Sequence, residues 1–373
     1  MGLPLSPHHA TQAVLWGGLA IGLVLGAVAQ ATRFCTMGAL ADRFSFGGHA
    51  RLMMWVLAVA VAASGSLLLI GAGALDATRA LPWSERLPWL SCAVGGAIFG
   101  AGMVLASGCP QRSLVKAGAG SLKALVTLLV VAVTAQMTLR GVLGELRVKT
   151  LDVWSTQLGG PQDLGTLIGG LAGTSPSATR WAVLAVLLAL TALLMWRYRG
   201  ELEAGHWVGG IGVGLLVTAA WWLTGDVGFL PEHPDTLEAA WMGTASHRPE
   251  GLSFAAPMAQ GLDLLTLWSD KNMALSFGVI VSVGVVLGSA ASAWRRGEFQ
   301  VEAFRTPGDL GSHLVGGALM GFGAVTSLGC SIGQGITGLS LLSAGACIAV
   351  TGIVVGAQAA LRWQAWRIER SLL

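Results

Sequence analysis

Long apolar runs separated by short polar stretches dominate the chain. Runs near 13–31, 52–74, 121–139, 180–196, 206–224, 273–294 and 338–360 each approach the roughly 20 residues that a helix needs to cross about 30 Å of hydrocarbon. They predict seven full membrane spans. Two further runs, 91–107 and 311–327, are shorter and glycine-rich, and they lead into Gly108-Cys109 and Gly329-Cys330. These predict broken or half-membrane helices, which survive at membrane depth only where protein or a water-filled cavity satisfies the backbone. The expected fold class is an all-α polytopic membrane protein of about nine membrane segments, forming one integral membrane domain over 1–373.

Composition excludes a soluble domain. The chain is 54% hydrophobic and only 11% charged, with mean hydropathy +0.68, against about 25% charged residues in soluble domains. No Lys or Arg precedes Arg33, so the first run lacks the basic flank of a cleaved secretory signal and reads as a retained span. With nine crossings, the loops 32–51, 108–123, 197–205 and 295–310 and the tail after 360 share one side. They hold 14 of the 22 Lys and Arg residues. That bias predicts an outside N-terminus and a cytoplasmic C-terminus. Tryptophans at span ends, among them Trp55, Trp89, Trp196, Trp207 and Trp294, suit the headgroup layer.

The two glycine-rich runs are copies of one another. Residues 95–109 read GGAIFGAGMVLASGC and residues 316–330 read GGALMGFGAVTSLGC, with eight of fifteen positions identical, including five glycines and the final Gly-Cys. Five crossings separate the copies, so they enter the membrane from opposite faces. The repeat is therefore inverted, an arrangement that places a binding site where the halves meet near the bilayer midplane. The expected boundaries are 13–139 for the first half, 140–272 for central helices and linkers, and 273–360 for the second half. The proline-containing segment 225–272 carries no catalytic signature and is expected to hold a short interfacial helix around 262–268.

Cysteine placement supplies the candidate chemistry. Cys92 and Cys347 lie within continuous apolar runs and read as packing residues. Cys35, Cys109 and Cys330 stand at helix breaks. No two cysteines are closer than seventeen positions, unlike the close pair of a dithiol redox enzyme, and the His, Met or carboxylate ligands of a metal path are missing beside them. Three separated soft contacts along a path remain. Pro110 suits the first turn of a helix, which puts Gly108 and Cys109 at a positive helix end, and Gly329 and Ser331 to Gly335, including Gln334, are expected to act likewise. Arg112 and Lys116 follow the first thiol and are expected either to attract the anion or simply to mark the cytoplasmic side.

The phrase Phe34-Cys35-Thr36-Met37-Gly38-Ala39-Leu40-Ala41-Asp42, together with the two Gly-Gly-x-x-x-Gly-x-Gly copies ending in Gly-Cys, resembles the YeeE/YedE family of sulfur-transport membrane proteins. The resemblance covers about 17–356. It implies an hourglass-like inverted-repeat fold in the bacterial inner membrane, in which Cys35, Cys109 and Cys330 touch a passing thiosulfate ion in turn. It also implies a cytosolic sulfurtransferase-like partner. The physics agrees: thiosulfate has hard oxygens and one soft terminal sulfur, and a neutral thiol contacts that sulfur without repelling a dianion. Weak binding at each step suits conduction. The candidate substrate-binding residues are thus Cys35, Cys109, Cys330, Gly108, Gly329, Ser331, Gln334 and Arg112. No cofactor, metal or nucleic acid is expected, and no Gly-x-x-x-x-Gly-Lys loop marks an ATP site. Two alternatives stand beside thiosulfate uptake: transport of a selenium compound, and a membrane thiol or persulfide relay enzyme.

Overall fold

Every predicted apolar run forms a helix. The computed structural model describes residues 6–371 apart from Asp235 and 271–273, so the expected boundary at 272/273 lies outside the described residues. The long helices are α1 (Pro7–Thr32), α3 (Ala50–Gly71), α4 (Trp89–Leu105), α6 (Leu122–Arg140), α9 (Pro176–Arg197), α10 (Ala204–Trp222), α12 (Phe277–Arg296), α13 (Pro307–Thr326) and α14 (Ala344–Ser371). Short helices α2 (Thr36–Ala41), α5 (Pro110–Gly118), α7 (Val142–Thr150), α8 (Leu164–Ala172) and α11 (Ala256–Thr266) lie between them. The last covers much of the stretch expected to hold an interfacial helix. Two short antiparallel strand pairs, 86–87 with 156–157 and 229–230 with 240–241, tie loops together.

Local chemistry sets the helix starts. Ser6, Ser175 and Thr306 cap α1, α9 and α13 through their hydroxyls, each followed by a proline in the first turn, so a first-turn orphan N–H is satisfied and φ is already helical. Eight helical stretches among the described residues are long and apolar enough to cross a membrane, including Trp89–Gly118, which joins α4 and α5 across a break. The 20-residue α13 is not among these eight and packs between α4 and α6.

Loop contacts sort the molecule into two ends. At one end His49 meets Glu201, Gln30 meets Glu298 and Lys123 meets Glu302. At the other, Trp83 donates to the Leu341 carbonyl, Arg86 to the Asp152 carbonyl and Thr337 to the Leu252 carbonyl. The long helices alternate between these ends, so α1 begins at the second end and α14 finishes at the first.

The repeated glycines are where the two copies touch. A Cβ on Gly102 would fall 2.7 Å from the Gly316 carbonyl oxygen, and one on Gly316 would fall 2.7 Å from the Gly102 oxygen. Gly95 and Gly323 meet in the same way, with the Gly323 oxygen 2.9 Å from a Gly95 Cβ. Gly102 and Gly323 occupy matching positions of the two copies, as do Gly95 and Gly316. Helices α4 and α13 therefore cross antiparallel with their backbones in contact, the close approach that small residues permit in membranes. The remaining glycines face outward symmetrically: Gly96 and Gly100 seat α14, while Gly317 and Gly321 seat α6.

Candidate functional site

Three helices stop in the same way, and each stop delivers a cysteine. In α1, Arg33 adopts φ +55° and the next residue, Phe34, donates its N–H to the Ala29 carbonyl. In α4, Ser107 adopts φ +56° and Gly108 donates to Met103; in α13, Leu328 adopts φ +61° and Gly329 donates to Ala324. A left-handed residue followed by this six-to-one bond is the Schellman termination. Each left-handed residue here carries a side chain where glycine is usual, a conformation costing about 1–2 kcal/mol. The residue after each six-to-one donor is Cys35, Cys109 or Cys330. Sequence reading found two matched breaks; the structure holds three.

Each thiol then opens a helical turn. Cys35 caps α2, its Sγ accepting from the Gly38 N–H at 3.3 Å, and the Cys330 Sγ accepts from the Gly333 N–H at 3.4 Å. Cys109 holds the cap position of α5 without closing a cap bond; its sulfur faces the Arg112 N–H and the Ser331 hydroxyl, within electrostatic range of both Cys35 and Cys330. Cys109 thus lies near both of the other thiols. All are buried, Cys109 and Cys330 completely. Cys92 sits inside α4 and Cys347 inside α14, neither at a break.

Charge gathers on one side of this group. The Lys116 ammonium donates to the Ser107 carbonyl at 2.7 Å and lies within electrostatic range of Cys35 and Cys109. Arg112 reaches the Ala29 carbonyl at 3.5 Å. Both therefore rest on the carbonyl-rich ends of helices that stop at the site, a favourable place for cations. Just beyond lies a cavity of about 110 Å³ lined by Lys116, Lys123, Glu302, Asp309 and His313. Lys123 bridges Glu302 at 3.0 Å and Asp309 at 2.8 Å, and its hydrogen bond holds the Glu302 carboxyl below the usual carboxylate range.

The opposite side is neutral at the thiol and opens into a cavity of about 450 Å³. Segment 225–272 walls it: Arg248, Glu250 and Ser253 face Gly333 and Thr337 across it. Burial pushes the Glu250 carboxyl above the usual range despite two hydrogen bonds from Ser246. Gln334 braces the adjoining break, donating to the Ser327 carbonyl at 2.6 Å, and its stem packs 3.1 Å from where a Gly329 Cβ would stand.

Sequence reading missed part of the site. The side-chain polar atoms of Thr36, Trp55, Gln111 and Ser331 include buried ones with no hydrogen-bond partner; of these, only Ser331 was expected. The signal was present, because Thr36, Gln111 and Ser331 each follow a break cysteine by one or two positions. Trp55 was assigned to the headgroup layer; its indole nitrogen is instead buried, and its ring lies 2.8 Å from where a Gly335 Cβ would stand.

The thiosulfate transporter TsuA of Escherichia coli (strain K12) is 29% identical over 355 residues, covering 92% of each chain. The thiosulfate transporter TsuA of Spirochaeta thermophila is 25% identical over 356 residues, covering 92% of this chain and 97% of the other. The sulphur transport family matches residues 31–359, a span containing all three break cysteines and both glycine-rich copies, and this chain belongs to that family.

Proposed function

We propose that this protein carries thiosulfate into the bacterial cytoplasm across the inner membrane, by passing the ion among the thiols of Cys330, Cys109 and Cys35. One observation carries the reading: the buried Cys109 thiol lies near two other thiols, all three delivered by the same kind of helix break, and cavities adjoin Lys116 and Gly333 in the segments that follow. A neutral thiol donates a weak hydrogen bond to the soft sulfur and adds no charge to repel it. The α5 N-terminus adds positive potential, and Arg112 and Lys116 then draw the anion toward the basic end. Because the basic loops lie there, that end is the cytoplasmic one, which places the N-terminus outside and the C-terminus inside. The protein is a carrier and performs no covalent chemistry. A sulfurtransferase-like protein that consumes the delivered sulfur would meet the substrate at this basic face.

The packing supports a repeat wider than 13–139 and 273–360. Helix α1 packs on α12 and α3 on α10, while α6 packs on α13 and α14 on α4. Exchanging α1 with α10, α3 with α12, α4 with α13 and α6 with α14 carries each contact into another. On this reading α10 and α11 leave the central segment and join the second half.

Purified protein in liposomes tests the function. Labelled thiosulfate should be recovered chemically intact in the lumen, and unlabelled thiosulfate should compete better than selenite, sulfite or sulfate. Stronger competition by selenite would transfer the assignment to a selenium compound. Consumption of thiosulfate without its transfer would favour a thiol relay enzyme.

A further inference from the structure

The cavity of about 450 Å³ beside Gly333 has mixed polar and apolar walls, and Arg248 is the only cation lining it among the described residues. That side chain is exposed and has no ion-pair partner among the described residues. Three other arginines at this end are committed: Arg86 to the Asp152 carbonyl, Arg147 to the Asp152 carboxylate and Arg180 to Asp163. The turn that carries Arg248 is fixed. The Ser246 N–H and hydroxyl both donate to the Glu250 carboxylate, at 2.8 and 2.6 Å, and the Glu250 N–H donates to the Thr224 hydroxyl at 3.1 Å. Glu250, the one acid on the cavity wall among the described residues, thus closes the turn and does not pair with Arg248. Two neutral donors share the wall. The Ser253 hydroxyl has no hydrogen-bond partner, and Gln260 accepts from Ser276 through its amide oxygen at 3.1 Å, which leaves its NH₂ uncommitted; neither group is sealed from water. The cavity ends at a thiol. Gly333 lines it and gives its N–H to the Cys330 sulfur at 3.4 Å, and the Ser253 oxygen lies 2.9 Å from where a Gly333 Cβ would stand.

We propose that this cavity is an outer capture site for the transported oxyanion, in which Arg248 takes the sulfonate oxygens, assisted by Ser253 and Gln260, before the soft sulfur reaches Cys330. The inference rests on the thiosulfate reading and adds to it the residue that draws the ion from bulk solution. A planar guanidinium presents parallel N–H groups that match two oxygens of one anion, and such charge-assisted bonds are about twice as strong as neutral ones. A single cation keeps the grip moderate. At about 10–15 Å³ per water the cavity has room for about thirty or more, so an ion enters with much of its hydration kept. Capture is therefore reversible, as a conduction path requires. The two kinds of group divide the work: Arg248 recognises oxygens, which sulfate shares, and the thiols recognise a soft terminal sulfur, which sulfate lacks. Sulfate should accordingly occupy the outer site without passing the thiols, as a weak competitive inhibitor.

Initial rates of thiosulfate uptake into right-side-out membrane vesicles, measured over a range of thiosulfate and sulfate concentrations, test the site. Arg248→Gln should raise KM about tenfold, the worth of one hydrogen bond to a charged group, and leave the maximal rate within about twofold, the pattern of lost ground-state binding. Inhibition by sulfate should weaken by the same factor. Arg248→Lys keeps the charge without the fork and should fall between the two, while Ser253→Ala should raise KM about threefold. A wild-type KM together with wild-type sulfate inhibition in Arg248→Gln would overturn the capture site and leave thiosulfate transport standing. A lower maximal rate at unchanged KM would overturn it as well, because the turn would then serve only the fold. Wild-type vesicles that take up no thiosulfate would overturn the transport reading and this site together.

Discussion

The two copies of the glycine-rich repeat end in the same helix stop and diverge at the next residue. After Cys109 comes Pro110 and a regular helix, α5, bearing Arg112 and Lys116. After Cys330 comes Ser331 and a wider π-helical turn, Gly333–Gly338, with no charged residue before Ala344. The first continuation leads to a cavity lined by charge, and the second is walled by an added loop. Glycine contacts between α4 and α13 are conserved across the pseudo-symmetry because both backbones need the same close approach; the continuations are free to differ. The lesson is that a symmetric scaffold fixes where the two copies meet, while the segments that follow each cysteine are free to carry different charge.

Breaking the thiol group should have the largest effect. Cys109→Ala removes the central sulfur and should reduce thiosulfate uptake by about 10- to 100-fold, as expected for losing a hydrogen bond to a charged group worth about 1.5–3 kcal/mol. Cys330→Ala should fall in the same range, and Cys35→Ala should follow now that its helix stop matches the other two. Uptake assays on protein verified by size-exclusion chromatography check this.

Symmetry of the scaffold predicts matched damage from Gly102→Ala and Gly316→Ala. Each added methyl would stand 2.7 Å from a carbonyl oxygen of the opposite copy, an overpacking that costs about 1–3 kcal/mol. Thermal unfolding should drop comparably for both; a drop for one alone would show that the copies are not equivalent supports.

Asymmetry of charge predicts unmatched damage. Lys116→Gln should slow uptake several-fold, and the deficit should shrink as ionic strength rises, because long-range attraction is screened within about 8–10 Å at physiological salt. Gln334→Ala should show no such salt dependence, since its amide is committed to the Ser327 carbonyl. Initial rates at two salt concentrations separate these cases. The smallest effect belongs to Cys92→Ala: the thiol lies inside α4 away from the breaks, so uptake should stay within about twofold of wild type and stability within about 1 kcal/mol.

Apolar run length was enough to locate the seven helices α1, α3, α6, α9, α10, α12 and α14, because a membrane helix must satisfy its backbone internally and announces itself by composition. The matched Gly-Cys pairs likewise gave away two of the breaks. Cys35 was also placed at a break, but its match to the other two stayed hidden because Arg33-Phe34 adopts the same termination without glycine, and a left-handed arginine leaves no signature in composition. Trp55 was misplaced for a related reason: its position near a span end fits a headgroup anchor, and only the packing of the indole against Gly335 shows that its nitrogen is buried. The segment 225–272 looked like a linker, yet it walls the larger cavity through contacts more than eighty positions away in sequence, such as Leu252 with Thr337. Long-range pairings of that kind are invisible to local pattern.

Radiolabelled thiosulfate uptake into liposomes, with wild type beside Cys35→Ala, Cys109→Ala and Cys330→Ala at matched protein density, tests the shared role of the three thiols most directly. Uptake by wild type with strong loss in all three variants, Cys109→Ala at least as severe as the others, is the predicted result. Undiminished uptake by Cys109→Ala would contradict it, because the ion would then pass without touching the sulfur that lies near both others.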